Sequence, residues 1–176
     1  MRTLVTGGVR SGKSMVAEEL IASAGQVTYI ATGPRSDDTD WAERVAAHRD
    51  RRPADWTTIE TTDLATALSE LTGPALVDCL GTWLTSVLDE LAVWEAPQAS
   101  WEAALAERFR RVTEAWAQCP HDVVAVTNEV GWGLVSEHRS GRIFADWLGR
   151  LNQSVAGASD RVLLVVAGQV LAVKQP

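Results

Sequence analysis

The sequence is poor in cysteine and has no long apolar run. No stretch approaches the ~20 consecutive apolar residues that a membrane-spanning helix needs, and the chain enters its first motif without the features of a signal peptide. The two cysteines, Cys79 and Cys119, lack the C-x-x-C spacing of zinc and redox sites. We therefore expect a cytoplasmic protein with reduced thiols and no membrane span.

Basic residues are also scarce. The 16 lysines and arginines are outnumbered by 23 aspartates and glutamates, and the formal net charge is −7. The basic block at 49–52 is short, so a broad nucleic-acid-binding surface is excluded and any site for a polyanion is expected to be local. A length of 176 residues with 46% hydrophobic content suits a single domain, 1–176, with a sizeable core.

One motif organises the chain. Two apolar residues, Leu4 and Val5, precede Gly7-Gly8-Val9-Arg10-Ser11-Gly12-Lys13-Ser14, which fits the phosphate-binding pattern G-x-x-x-x-G-K-[ST]. Glycines in this pattern let backbone N–H groups turn around phosphate oxygens at a helix N-terminus. The lysine supplies a charge for the β and γ phosphates, and the final serine supplies a hydroxyl for Mg²⁺. The alternative is a glycine-rich turn that only caps a helix, but the strand before the motif and the helix after it favour a nucleoside triphosphate site.

Strands and helices alternate along the rest of the chain. Apolar periodicity predicts helices at 15–24, 63–71, 81–95, 98–117 and 139–158, and short β-branched or apolar runs predict strands at 27–30, 56–60, 74–80, 122–127 and 161–166. Gly168 is expected to end the last strand. The alternation predicts a three-layer α/β fold with a mostly parallel sheet, of the phosphate-loop NTPase, RecA-like type. Tryptophans at helical spacing, such as Trp83 and Trp116, indicate either core packing or a subunit interface.

Acidic residues end two of the predicted strands. Because ligands bind at the carboxyl ends of parallel strands, Asp78 is expected to order Mg²⁺ opposite the Ser14 hydroxyl. Glu60 is either an exposed glutamate or a hydrogen-bond acceptor for a nucleotide ribose. The loop 128–133 also follows a strand, and its two glycines indicate that it approaches a ligand or another subunit.

Residues 35–53 are the most charge-dense part of the chain. Asp37 or Thr39 could cap a helix that runs to about Arg51, on which Arg44 and His48 would share a face. Composition alone is equally consistent with a solvated charged helix. The other interpretation is a helix whose arginines hold phosphate while a neutral His48 attacks phosphorus, since nearby positive charge disfavours protonation of an imidazole.

Five stretches in order resemble one enzyme family. They are GGVRSGKS at 7–14, YIATG at 29–33, AERVAAHRDRRPADW at 42–56, LVDCLGTWLT at 76–85 and TNEVGWGLV at 127–135. The family is that of the bifunctional adenosylcobinamide kinases / adenosylcobinamide-phosphate guanylyltransferases. The resemblance continues through Gly141-Arg142 and 151–153 to the last predicted strand.

The resemblance implies two reactions of cobalamin biosynthesis. A nucleoside triphosphate, ATP or GTP, phosphorylates adenosylcobinamide, and GMP from GTP is then transferred onto adenosylcobinamide phosphate through a covalent histidine intermediate. It also implies Mg²⁺ held by Ser14 and Asp78, a catalytic Lys13, and a homo-oligomer, with a trimer as the expected state. The family's guanylylated histidine falls on His48, although some relatives have two adjacent histidines where this chain has Ala47 and His48. Its nucleotide contacts fall on Gly7–Ser14, on Ala31, Thr32 and Gly33, on Arg49, Asp50, Arg51 and Arg52, and on Glu60 and Asp78.

Two other functions compete with this one. A different small-molecule kinase would use the phosphate loop and leave His48 as a surface residue. A regulatory GTP-binding switch would need an N-K-x-D guanine-recognition motif, and the chain has Thr127-Asn128-Glu129-Val130 at the corresponding place. The switch is therefore ranked last.

Overall fold

The computed structural model describes residues 1–33 and 53–176. In this part of the chain, seven strands form one sheet in the order β3-β2-β4-β5-β1-β6-β7. The strands are β1 Arg2–Gly7, β2 Thr28–Ala31, β3 Thr57–Glu60, β4 Ala75–Asp78, β5 Val123–Val126, β6 Arg161–Val166 and β7 Gln169–Lys174. The helices are α1 Lys13–Ile21, α2 Leu64–Ser69, α3 Leu80–Glu90, α4 Glu102–Gln118 and α5 Arg139–Ala158, with short 3₁₀ turns at Ala22–Ala24 and Gln98–Ser100.

The strands β1 to β6 pair in parallel, and β7 pairs antiparallel with β6. Successive side chains of a strand face opposite sides of the sheet, and each side has its own apolar cluster. Leu4, Ile30 and Val77 pack with α2, α3, α4 and α5, whereas Val5, Tyr29 and Leu76 pack with α1. The predicted three-layer, mostly parallel fold is confirmed.

The tryptophans of α3, α4 and α5 pack inside the chain. Trp101 and Trp147 have ring centroids 5.6 Å apart, and Phe109 bridges from Trp147 to Trp83 at 5.7 and 6.0 Å. The indole N–H groups are also satisfied: Trp83 donates to the Thr62 carbonyl at 2.9 Å and Trp116 to the Ser159 hydroxyl at 3.0 Å. Of the two interpretations of these residues, core packing is confirmed.

The main difference from the predicted elements is β7. A two-residue turn, Ala167-Gly168, with φ of 51° and 76°, reverses the chain and starts this strand. Left-handed backbone at both positions is typical of a tight hairpin between twisted strands. Gly168 therefore turns the chain into another strand, and the expectation that 161–166 is the last strand is wrong. Every residue of β7 is exposed, so no buried face marks it in the sequence.

A second difference is the end of α3, which was predicted to run to residue 95. Ala92 takes the left-handed conformation with φ of 50°, and the Val93 N–H returns to the Leu88 carbonyl at 3.2 Å. This is the geometry by which a glycine commonly ends a helix. Because an alanine occupies the position, the sequence carries no stop signal there.

No described helix is both long and apolar enough to cross a membrane.

An ion pair fastens the start of β1 to the start of β6. The Arg2 guanidinium donates to both carboxylate oxygens of Asp160, at 2.6 and 3.2 Å, and the Arg2 backbone N–H donates to the same carboxylate at 2.7 Å. These hydrogen bonds lower the pKa of Asp160 from its ordinary 3.8 to about 2. The pair holds the first strand in register at the sheet edge opposite the phosphate loop.

The Asp160→Asn variant is expected to lose stability in a pH-dependent way. A carboxyl whose pKa is lower in the folded state stabilises the fold above its unfolded pKa, and this contribution disappears as pH falls through the folded pKa. The free-energy difference between wild type and variant should therefore be largest above pH ~4 and shrink towards pH ~2. Denaturant unfolding across this range measures it, with the exposed Asp146→Asn as control. A difference that does not vary with pH would contradict the assignment.

Candidate nucleotide-binding site

The predicted site residues of the described chain meet at one edge of the sheet. Gly7, Ala31, Glu60 and Asp78 each end a strand. The register places Ala31 opposite both Glu60 and Asp78, and Asp78 opposite Val126, which also pairs with β1. This carboxyl edge is where open α/β sheets bind ligands.

The phosphate loop turns sharply between β1 and α1. The Ser11 N–H donates to the Gly8 carbonyl at 3.3 Å, and Arg10 and Gly12 have positive φ of 56° and 94°. Backbone that alternates in hand in this way gathers N–H groups into a concave anion site at the start of a helix. A Cβ on Gly7 would lie 2.6 Å from both the Val165 carbonyl and the Ser11 hydroxyl. That position therefore has no room for a side chain.

Lys13 and Ser11 are buried within this loop. Lys13 is only 6% exposed, and its ammonium donates to the Gly8 carbonyl at 3.1 Å, across the loop. The Ser11 hydroxyl is buried and has no hydrogen-bond partner among the described residues. A buried polar group without a partner costs about 1–3 kcal/mol, so a ligand oxygen that reaches it is favoured. The loop thus offers a charge, a hydroxyl and backbone donors to a phosphate chain.

Asp78 is held at the end of β4 by a tyrosine. The Tyr29 hydroxyl donates to the Asp78 carboxylate at 2.9 Å, and both side chains are at least partly buried. Since β5 lies between β4 and β1, Asp78 is two strands, or about 10 Å, from the strand that carries the phosphate loop. Among the described residues no three His, Cys, Asp or Glu side chains are grouped to hold a metal. The predicted donors, the Asp78 carboxylate and the Ser14 hydroxyl, are of the kind that suits Mg²⁺, which proteins bind through one or two carboxylates together with substrate phosphates.

Thr32 links the end of β2 to the residues that follow β4. It is fully buried, and its hydroxyl donates to the Cys79 carbonyl at 2.6 Å and lies 3.0 Å from the Thr82 hydroxyl. The Thr32 hydroxyl is therefore used within the protein, and the assignment of Ala31, Thr32 and Gly33 as nucleotide contacts stays a prediction. The neighbouring residues Ala31 and Gly33 are partly exposed.

Further hydrogen bonds continue from Thr32 past the ends of β4 and β5. Cys79 caps α3 by accepting from the Thr82 N–H at 3.4 Å, while its own N–H donates to the Thr82 hydroxyl at 3.2 Å. Burial raises the pKa of the Cys79 thiol, and the Asp78 carboxylate adds to the rise, so the thiol stays protonated and unreactive. Beyond it, Asn152 of α5 donates to the Asn128 carbonyl at 3.0 Å and accepts from the Thr127 hydroxyl at 2.6 Å.

The loop that follows β5 is attached to the phosphate loop. The Glu129 N–H donates to the Gly7 carbonyl at 3.1 Å, and Arg142 holds the far end through the carbonyls of Ser136 and Glu137. Between these ends the loop exposes apolar side chains, with Trp132 at 74% and Leu134 fully exposed. The predicted approach of this loop to a ligand site is consistent with its place beside the phosphate loop.

Part of the predicted site belongs to the segment between the two described ranges. His48, the residues Arg49, Asp50, Arg51 and Arg52, and the predicted helix that carries them lie outside the described residues. Glu60 is exposed at the end of the edge strand β3, so its two interpretations both remain.

The comparisons with known proteins cover nearly the whole chain. The family model for "Cobinamide kinase / cobinamide phosphate guanyltransferase" matches residues 3–173. The CobU protein of Salmonella typhimurium, described as a bifunctional adenosylcobalamin biosynthesis protein, is 44% identical over 96% of this chain and 97% of its own length. CobP of Pseudomonas aeruginosa, described in the same words, is 38% identical over 99% and 98%.

The chain belongs to the cobinamide kinase / cobinamide phosphate guanyltransferase family. The resemblance drawn from five sequence motifs is confirmed, and the protein is a transferase of this bifunctional type. A regulatory GTP-binding switch is thereby excluded.

Solved structures place the family's fold among phosphate-loop ATPases. An ATPase of the type III secretion system of pathogenic bacteria superposes with a TM-score of 0.60 at 11% identity, covering 97% of this chain and 56% of that one. EscN of enteropathogenic E. coli gives 0.53 at 13% identity, covering 94% and 43%. The chain thus spans about half the length of these ATPases, and at such identities the likeness shows the fold alone.

Several supporting residues of this family member were missed from the sequence. Tyr29 appears in the sequence only as part of a strand, without any sign of what its hydroxyl binds, and Thr32 was predicted as a nucleotide contact and not as a donor to the Cys79 carbonyl. Asn152 gives a better signal, because it is a polar residue beside the buried Leu151 in an apolar-periodic helix. Gly168 was expected only to end a strand, whereas its N–H donates to the Ser11 carbonyl at 2.9 Å.

The Thr32→Val variant is expected to be less stable than the wild type by about 0.5–1.5 kcal/mol. The substitution removes one buried hydrogen bond, while the Cys79 carbonyl keeps the Trp83 N–H and the Thr82 hydroxyl as donors. Denaturant unfolding measures the loss, with Thr85→Val, which removes a hydroxyl bond within one helix, as the matched control. Equal stability of Thr32→Val and wild type would contradict the supporting role.

Proposed function

We propose that this enzyme phosphorylates adenosylcobinamide with ATP or GTP and then transfers GMP from GTP to the product, giving adenosylcobinamide-GDP. The observation that carries the proposal is a fully formed phosphate loop, with Lys13 folded across it and Gly12 left-handed at the helix start. It occurs in a chain that matches the bifunctional family from residue 3 to 173.

In the kinase step, the hydroxyl of the substrate's aminopropanol arm attacks the γ phosphorus in line and the nucleoside diphosphate leaves. The N–H groups of Gly8–Ser14 and the Lys13 ammonium stabilise the negative charge of the transferring group. Lys13 exchanges its bond to the Gly8 carbonyl for phosphate oxygens. The proton of the attacking hydroxyl is released as the new P–O bond forms.

Ser14 and Asp78 are the residues that would hold Mg²⁺. When bound, the ion would neutralise charge on the nucleotide phosphates. The Tyr29 hydroxyl contributes by fixing the Asp78 carboxylate at the strand end. The protein would supply one hydroxyl and one carboxylate here, and substrate phosphates and water would supply the remaining ligands.

In the guanylyl step, we assign the nucleophile to His48. Its imidazole nitrogen attacks the α phosphorus of GTP, pyrophosphate leaves, and a P–N bond joins GMP to the protein. A phosphate oxygen of adenosylcobinamide phosphate then attacks the same phosphorus, and the P–N bond breaks to release His48. The contacts assigned to the nucleotide are Ala31, Thr32 and Gly33, together with Arg49, Asp50, Arg51, Arg52 and Glu60.

We also propose that the enzyme works in the cytoplasm as a homo-oligomer, with a trimer as the expected state. Free thiols at Cys79 and Cys119 suit a reducing compartment. The tryptophans of α3 to α5 are used in the core, so the apolar side chains available for a subunit contact are elsewhere. Leu171 and Val173 of β7 and Trp132 and Leu134 of the loop after β5 are all more than half exposed.

The covalent intermediate can be tested by labelling. Incubation with [α-³²P]GTP and Mg²⁺ followed by denaturing electrophoresis should give a labelled protein whose bond is acid-labile and alkali-stable, as expected for a phosphoramidate. His48→Ala should lose the label, because the variant lacks the assigned nucleophile. Wild type should also exchange labelled pyrophosphate into GTP without any corrinoid.

The matched controls are His121→Ala and His138→Ala, which should both keep the label. His121 bonds the Leu71 carbonyl, and His138 precedes α5. Label that persists in His48→Ala, or a wild type that binds GTP without being labelled, would contradict the assignment of His48 as the nucleophile. The function that then remains is that of a phosphate-loop kinase.

The Lys13→Ala variant is expected to lose both activities. Removing one charged donor from the developing phosphoryl charge should lower kcat/KM of the kinase step by about 10²–10³-fold. A spectrophotometric assay of nucleoside diphosphate release measures it, and Lys174→Ala on β7 is the control. Activity of Lys13→Ala within a few-fold of wild type would contradict the assigned role.

A further inference from the structure

The turn between β6 and β7 lies directly against the phosphate loop. The Gly168 N–H donates to the Ser11 carbonyl at 2.9 Å. A Cβ on Gly12 would lie 3.5 Å from the Gly168 Cα, and a Cβ on Gly7 would lie 2.6 Å from the Val165 carbonyl. The C-terminal hairpin therefore meets the loop backbone to backbone at two places.

The hydrogen bond from Gly168 to the Ser11 carbonyl also fixes the direction in which the Gly12 N–H points. The Ser11 carbonyl and the Gly12 N–H belong to one planar trans peptide unit and point in opposite directions. When Gly168 holds the carbonyl towards the hairpin, the Gly12 N–H must point away from it. Gly12 is the residue at which the loop enters α1, where N–H groups face an anion.

We propose that Gly168 is a positioning residue of the phosphate site, because its N–H sets the Ser11–Gly12 peptide plane and so aims the Gly12 N–H at phosphate. This inference rests on nucleotide binding at the phosphate loop, the first element of the proposed function. It does not depend on the corrinoid or on His48.

Position 168 requires glycine because of its backbone conformation, not because a side chain would clash. Gly168 has φ of +76°, and a Cβ added there would meet no atom within 4 Å. A larger residue at this position would therefore cause no clash, but it would strain the backbone, because left-handed conformation is unfavourable for residues other than glycine. Relieving that strain rotates the N–H away from Ser11, and a nucleotide that needs the original peptide orientation must restore it on binding. The cost then appears as weaker affinity for nucleotide.

The test compares three variants in the full-length protein. Gly168→Ala adds strain, Gly168→Asn adds a side chain that tolerates left-handed backbone, and Gly25→Ala is the matched control. Gly25 also has positive φ, +87°, with no atom within 4 Å of an added Cβ, but it precedes β2 at the opposite edge of the sheet. The dissociation constant of a fluorescent GTP analogue, competition by ATP, and thermal unfolding are measured for each.

Gly168→Ala should raise the dissociation constant of the analogue about fivefold to thirtyfold, the range expected when a non-glycine residue is held left-handed. Gly168→Asn should restore it to within about twofold of wild type. Gly25→Ala should lower the unfolding temperature and leave the dissociation constant at the wild-type value. KM for nucleotide in the kinase assay should rise with the dissociation constant in Gly168→Ala.

A merely structural turn would give a different pattern. If Gly168→Ala lowers the unfolding temperature and binds nucleotide as wild type does, or if Gly25→Ala weakens binding equally, the inference is overturned. Wild-type protein that bound neither nucleotide would overturn the inference and the proposed function together. Wild-type binding with no effect at Gly168 overturns the inference alone.

Discussion

The site depends on one constraint, which is that the backbone between β1 and α1 must present its N–H groups with no side chain in the way. Glycines meet this constraint where the loop touches β6 and where it enters the helix. The elements on both sides of the loop are fixed: β1 is an inner strand of the sheet, and α1 packs Val16, Ala17 and Ile21 against the sheet. The C-terminal hairpin contacts the loop itself. A flexible sequence thus becomes a fixed anion cradle because its neighbours are rigid.

A second layer beneath the cradle joins the strand ends. Thr32, Cys79, Asn128 and Asn152 bond across β2, β4 and β5 and the helices behind them. Buried polar groups are costly unless they are satisfied, and here each finds a partner on a different element. The carboxyl edge of the sheet is therefore held by hydrogen bonds as well as by apolar packing. The residues at this edge that would face a ligand are fixed in place by the same contacts.

Much of this arrangement could be predicted from the sequence. The bounds of α5 and β6 coincide with the predicted ones, because an apolar stripe of period 3.6 and a β-branched run mark them, and the phosphate loop is specified by its pattern. What could not be predicted depends on contacts between distant parts of the chain. Tyr29 meets Asp78 through strand pairing, Gly168 meets Ser11 through the turn into β7, a strand with no buried residue, and Ala92 ends a helix without a glycine. His48 lies outside the described residues, so its role rests on the resemblance.

The Lys13 ammonium bonds the Gly8 carbonyl of its own loop, and this has a consequence for discrimination between ligands. A compound that enters the cradle competes with a hydrogen bond that the protein already makes. A neutral nucleoside or a free sugar hydroxyl gains little from that exchange, whereas a polyphosphate gains a charge-assisted bond in place of a carbonyl bond. The loop as it is folded therefore favours ligands that carry negative charge.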